Sequence, residues 1–118
     1  MLTPVLFLPG LLCDASLWRP AIDDLKDLIA PAVADLTLDD TIGSMARRAL
    51  AAAPERFALA ALSMGGYVAF EIMRQSPHRV TRLALIGNCG HLPPLESPAE
   101  AGAFLRSWLS LPPRSPAS

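Results

Sequence analysis

The sequence is short of several things, and each shortage closes off a class of function. Only two of the 118 residues are cysteine, Cys13 and Cys89. That is too few for a disulfide framework and suits reduced thiols in a cytoplasmic chain. Aromatic residues make up 6%, and the basic residues are scattered rather than gathered in a stripe. Neither sign of charge prevails: Lys and Arg number 10, Asp and Glu 11, for a formal net charge of -1. No nucleic-acid partner and no acidic membrane surface is expected from such a balance. No apolar run approaches the roughly 20 residues that span a bilayer. The first ten residues lack a basic start and contain Pro4 and Pro9, so no signal peptide is expected. There is no G-x-G-x-x-G and no phosphate-loop lysine. Cys89-Gly90-His91 has no second pair at metal-ligand spacing, so no metal or other cofactor is expected.

What is abundant is apolar surface. Hydrophobic residues make up 52% of the chain and charged ones 18%. A domain this small has much surface for its volume. An apolar patch on the folded subunit is therefore expected, covered by a second copy of the chain. The pattern reads as one domain over residues 1–111, followed by a polar, proline-bearing, disordered tail at 112–118.

Strand and helix patterns alternate. Val5-Leu6-Phe7-Leu8 is a buried strand ended by Pro9-Gly10. Trp18, Ile22, Leu25 and Ile29 recur at helical spacing and predict a helix over 16–30, capped by Ser16 and ended by Pro31. Residues 32–36 predict a short second strand. Thr41 caps a helix carrying Ile42, Met45, Ala46, Ala49, Leu50 and Ala53, which Pro54 stops. Residues 57–62, FALAAL, read as a strand buried on both faces of a parallel sheet. A helix from Met64 to about Gln75 turns Val68, Ile72 and Met73 inward, and residues 80–86 form the last strand. Ser97-Pro98-Ala99-Glu100 is a capping box opening a helix with Ala101, Phe104, Leu105, Trp108 and Leu109 on one face, ended by Pro112-Pro113. The expected fold class is α/β, with about four parallel strands flanked by helices.

The most specific feature is Ala61-Leu62-Ser63-Met64-Gly65-Gly66. It joins the most buried strand directly to a helix. A nucleophile placed there sits on a tight turn that pushes its hydroxyl outward, and the residues two before and two after must be small to clear the neighbouring strand and helix. Ala61 and Gly65 are small. The helix start sets the N–H of Met64 beside the hydroxyl, where it can stabilise an oxyanion. The plain alternative is that Ser63 only caps the helix.

These residues resemble the α/β-hydrolase superfamily, in particular its small esterase-like and lactonase-like members. LFLPGLLCDASLW is similar to the loop after that family's third strand, and ALSMGGYVAFEIMRQSPHRVTRLALIGN to its nucleophile elbow, the following helix and the next strand. The resemblance runs over residues 3–111. Ala61 departs from it, because the family usually has glycine there. The resemblance implies a minimal α/β-hydrolase core, Ser63 as nucleophile, and the backbone N–H groups of Leu11 and Met64 as oxyanion donors.

A serine hydroxyl needs a base. His78 lies in a turn between helix and strand, at the end of a parallel sheet opposite the active site. His91 follows the last strand at the same end as Ser63. CGHLPPLE, followed by Ser97-Pro98-Ala99-Glu100 and an amphipathic helix, resembles the family's catalytic-histidine loop and final helix, which implies His91 as the base. In the family a cap region, further strands and the catalytic acid intervene between that strand and that loop. Here they look excised, leaving a miniature rather than a simple truncation. The usual acid position goes with them. Asp14, Asp35, Glu96 and Asn88 are the candidates to orient His91, each with an ordinary role as a cap or turn residue; a dyad without an acid also retains activity, since the acid's loss costs a serine protease about 10⁴.

The excision also leaves strand 80–86 as an apolar edge, a hazard that pairing with a second copy removes. A homodimer is expected, built through the strand at 80–86 or by exchange of the C-terminal segment. Ser63 and His91 would then meet within one chain or between two. The function expected is hydrolysis of small, activated carboxylic esters through an acyl-enzyme on Ser63. The rival is a catalytically inactive dimeric remnant serving as a binding or structural module, and acyl transfer or perhydrolysis on the same serine is a further enzymatic alternative.

Overall fold

A computed structural model of the chain describes residues 2–9, 18–62, 65–86 and 105–113. Four strands form one sheet: β1 (Thr3–Leu8), β2 (Ile29–Val33), β3 (Phe57–Leu62) and β4 (Val80–Ile86), in the order β2-β1-β3-β4. All three pairings are parallel. The connecting helices are α1 (Trp18–Asp24), α2 (Ile42–Ala52) and α3 (Gly65–Gln75), with 3-10 turns at Leu36–Leu38 and Pro77–Arg79. A further helix, α4, is described over residues 105–109.

The helices cover the sheet from both sides. On one face, Val5, Phe7, Ala58, Ala60 and Ala84 pack against Leu25 and Ile29 and against Leu105 and Trp108 of α4. On the other, Leu6, Leu8, Leu59 and Ala61 pack against Met45, Ala46, Ala49 and Leu50 of α2 and Val68, Ala69 and Ile72 of α3. Residues 57–61 are fully enclosed, as a run buried on both faces requires. Alanine at 58, 60 and 61 keeps that central strand thin.

Thr41 caps α2 as its sequence predicts, its Oγ1 accepting from the N–H of Ser44 at 3.1 Å. The other end of α2 is closed by a residue that no capping pattern marks. The Arg79 guanidinium donates to the carbonyls of Leu50 (2.9 Å), Ala53 (3.1 Å), Pro54 (2.8 Å) and Glu55 (3.1 Å), and lies 5.6 Å from the centre of the Phe57 ring. The Leu50 carbonyl, in the last turn of α2, also accepts from the N–H of Ala53 at 3.4 Å, and the other three belong to the residues that follow the helix. On the opposite face of the sheet, Arg106 of α4 donates to the carbonyl of Asp24 at 2.7 Å.

The structure corrects the reading of residues 16–36. Helix α1 ends at Asp24, not at residue 30, and Ile29 is already the first residue of β2. The strand predicted over 32–36 runs over 29–33, and Leu36 belongs to the 3-10 turn. The misleading signal was Pro31, read as a helix stop. It lies within β2, paired with Val5. Because β2 is an edge strand, a proline whose missing N–H faces outward removes nothing from the ladder. Ile29 keeps the burial that its helical spacing suggested, but on a strand. The proposed cap Ser16 and the capping box at 97–100 lie outside the described residues, as does the tail from residue 114 onward.

Candidate active site at the carboxyl rim of the sheet

A parallel sheet sends every strand's C-terminus to the same rim. Here Leu8 pairs with Ala61, and Leu62 pairs with Ile86. The segments 9–17, 63–64 and 87–104 therefore all leave the described sheet at that rim. β1 continues to β2 on one side and β3 continues to β4 on the other, so the chain diverges between β1 and β3. Open α/β sheets bind ligands outside such a switch point. Leu11 lies three residues beyond Leu8, Ser63 one beyond Leu62, and His91 five beyond Ile86.

Ser63, Met64, Leu11 and His91 lie outside the described residues, as do Asp14, Asn88 and Glu96. What is described is the frame around them. β3 is described to Leu62 and α3 from Gly65, two residues further on. The start of α3 is pressed against β1. A Cβ on Gly65 would lie 2.5 Å from the Leu8 carbonyl oxygen and 3.0 Å from its carbon. Since a C–C bond is about 1.5 Å, the Gly65 Cα itself is within about 4 Å of that oxygen. No side chain fits there, which is the requirement read from the sequence for the position two after the serine. Ala61, two before it, has no exposed surface. Gly66 contrasts with it: a Cβ there would meet nothing within 4 Å among the described residues.

The first turn of α3 thus faces the rim beside the carbonyl that precedes Pro9-Gly10-Leu11. Its leading N–H groups carry the positive end of an 11-residue helix toward the same point.

Of the candidates to orient His91, Asp35 can be placed. Asp35 follows β2, two strands from β3. Its Oδ1 accepts from Thr37, both from the backbone N–H (2.9 Å) and from the hydroxyl (2.5 Å), and caps the 3-10 turn at Leu36–Leu38. The Thr37 hydroxyl, then the Thr37 N–H, hold the Asp35 carboxyl below the usual carboxylate range. Its side chain is engaged locally, at roughly 10 Å from β3 by strand spacing. His78 sits exposed in the 3-10 turn before β4, at the rim opposite Ser63, where the sequence puts it. Among the described residues no group of three or more His, Cys, Asp or Glu comes together to hold a metal, and no helix is long and apolar enough to cross a membrane.

No protein-family profile matches the chain, and no curated protein does. Solved structures do. A membrane phospholipase A, described as a bacterial virulence factor, aligns with a TM-score of 0.63 at 25% identity over 89% of this chain and 44% of its own. A thermophilic esterase from Thermogutta terrifontis aligns at 0.54 and 25% identity, over 70% of this chain and 36% of its own. Cfl2 from Burkholderia cenocepacia aligns at 0.62 and 27% identity, over 92% of this chain and 42% of its own. The chain spans less than half the length of each. At the level of the fold it is a hydrolase-type α/β core.

Proposed function

We propose that the chain is a serine hydrolase for small, activated carboxylic esters. Ser63 Oγ bonds to the ester carbonyl carbon while His91 takes the hydroxyl proton. The tetrahedral oxyanion accepts hydrogen bonds from the N–H groups of Leu11 and Met64. The C–O bond to the leaving alcohol then breaks, and His91 returns the proton to that alcohol. Water attacks the acyl-enzyme by the same route, giving the acid and free Ser63. Each oxyanion donor is worth about 3 kcal/mol of barrier when aligned.

The observation that supports this most directly is the junction at residues 62–65. A strand and a helix described to within two residues of each other, with a glycine pressed against β1 at the helix start, are what an outward-thrust nucleophile needs and what a simple helix cap does not. The esterase and phospholipase likenesses point the same way. Chain length poses no obstacle to the histidine: five residues beyond Ile86 reach about 17 Å, while Ile86 is one strand spacing, about 4.8 Å, from Leu62.

The rival reading is an inactive remnant that keeps the fold. The two separate in a time course with a short-chain activated ester, run on the wild type, Ser63→Ala and His91→Ala. A pre-steady-state burst that both substitutions abolish supports the hydrolase. Equal residual turnover in all three proteins supports the remnant.

A further inference from the structure

The sheet has two edges, and they are unlike. The β2 edge is five residues long and carries Pro31, which blunts it. The β4 edge is seven residues long, without proline, and its one charged residue is Arg82. Arg82 is turned back onto its own subunit, Nε donating to the Leu111 carbonyl at 2.9 Å. A shift in register near Phe57 disturbs the start of β4, and from Arg82 to Ile86 it runs in regular register with β3. Among the described residues nothing pairs with the outer side of that run, so a row of backbone donors and acceptors faces outward.

Apolar surface flanks this edge on both faces of the sheet. On the α4 side, Ala84, Trp108 and Leu111 line a groove of about 400 Å³ along the strand. On the α3 side, Leu83 and Leu85 share the face of Ala61. No described helix crosses β4 there, because α2 occupies the other flank of α3, where Gln75 reaches the carbonyl of Gly43 at 3.4 Å. Phe70 and Met73 lie on the flank of α3 away from α2. Phe70 is 59% exposed on α3, and Leu85, on the open strand itself, is 45% exposed.

We propose that this edge is the interface of a two-fold dimer, in which β4 of one subunit pairs antiparallel with β4 of another. The occupant is a second copy because the edge complements itself. With the two-fold axis at Ala84, Leu83 stands opposite the partner's Leu85 and Leu85 opposite the partner's Leu83, all four on one face. Directly opposed apolar pairs are the stabilising unit of an antiparallel ladder. Arg82 stands opposite position 86, so no like charges meet. The four-stranded sheets join into one of eight strands, as an isologous contact between identical edges requires. The inference stands on the edge alone and holds whether or not Ser63 is catalytic.

The test is sedimentation equilibrium of the full chain from about 1 to about 200 μM, the span over which an interface at the small end of the stable range associates. The wild type should shift from monomer toward dimer across it. Leu85→Arg and Phe70→Glu should each weaken association by about tenfold or more, with circular dichroism and melting temperature unchanged. Leu38→Arg, at an exposed apolar residue beyond the β2 end of the sheet, should leave it as in the wild type. A wild type that stays monomeric throughout overturns the proposal; it is the result expected if the chain's own segment 87–104 covers the edge. So does a dimer that both β4-side variants leave intact, or one that Leu38→Arg disrupts as strongly.

Discussion

Two adjacent glycines make opposite predictions. At Gly65 a methyl group would arrive 2.5 Å from the Leu8 carbonyl oxygen and 3.0 Å from its carbon. Both atoms are backbone of a central strand and cannot swing aside. Ordinary contact begins near 3.4 Å, so the start of α3 must lift from β1 by nearly an ångström. Overpacking of that kind costs about 1–3 kcal/mol, against which alanine recovers up to about 1 kcal/mol of helix propensity. Gly65→Ala should therefore destabilise by about 1–2 kcal/mol. Gly66→Ala meets no atom of the described residues and should stabilise by about 0.5–1 kcal/mol. Urea melts followed by circular dichroism read the difference, with the slope of each transition unchanged. Ester turnover amplifies it: a displacement of about 1 Å costs on the order of 100-fold, so Gly65→Ala should lose most activity under conditions where it remains folded, while Gly66→Ala keeps it. Equal stability of the two variants, or a fully active Gly65→Ala, would refute the reasoning that the helix start is seated against β1.

Two further expectations concern the frame. Arg79→Met keeps the length of the side chain but removes its four hydrogen bonds at the end of α2 and the charge over Phe57. It should cost about 2 kcal/mol, allowing for carbonyls that water can reach, and a loss under about 0.5 kcal/mol in thermal or urea unfolding would show those contacts to be incidental. The Glu71 carboxyl is held down to about 2 from the usual 4.5, first by the hydrogen bonds from Arg74 and then by that from Gln75. A carboxyl depressed in the folded state contributes stability that is complete above its unfolded value and is lost as the pH falls through its folded one. Wild type should therefore lose stability between about pH 4.5 and 2 faster than Glu71→Gln; parallel curves for the two proteins in that window would contradict it.

Much of the sheet could be read from the sequence because its strands are marked by burial alone. FALAAL at 57–62 is apolar without the gaps that a helix face needs, the run at 80–86 is broken only by Thr81 and Arg82, and both boundaries are found as read. Thr41 and Pro54 bracket α2 through local chemistry. The miss at 16–36 comes from a residue whose meaning depends on neighbours: Pro31 stops a helix but is harmless on the outer strand of a sheet, and no local pattern says which strand will be outermost. Arg79 was unreadable for a related reason. Its partners are carbonyls 24–29 positions away, and carbonyls carry no side-chain signature. At the site, the demand for a small residue at 65 was legible. Its cause, the Leu8 carbonyl, lies more than fifty residues back and became visible only with the pairing of β1 and β3.

That pairing also governs how the protein comes into being. β1 is synthesised before β2 and β3, yet among the described strands it ends up between them. No hairpin can nucleate such a sheet, because neighbouring strands run in the same direction and each must wait for the connection between them. During translation the flank of β1 that will receive β3 stays open until Ala61 has cleared the ribosome. A nascent chain with so many apolar side chains and unpaired backbone groups exposed is a natural client for holdase chaperones, and its yield in cells should track their supply more closely than its equilibrium stability.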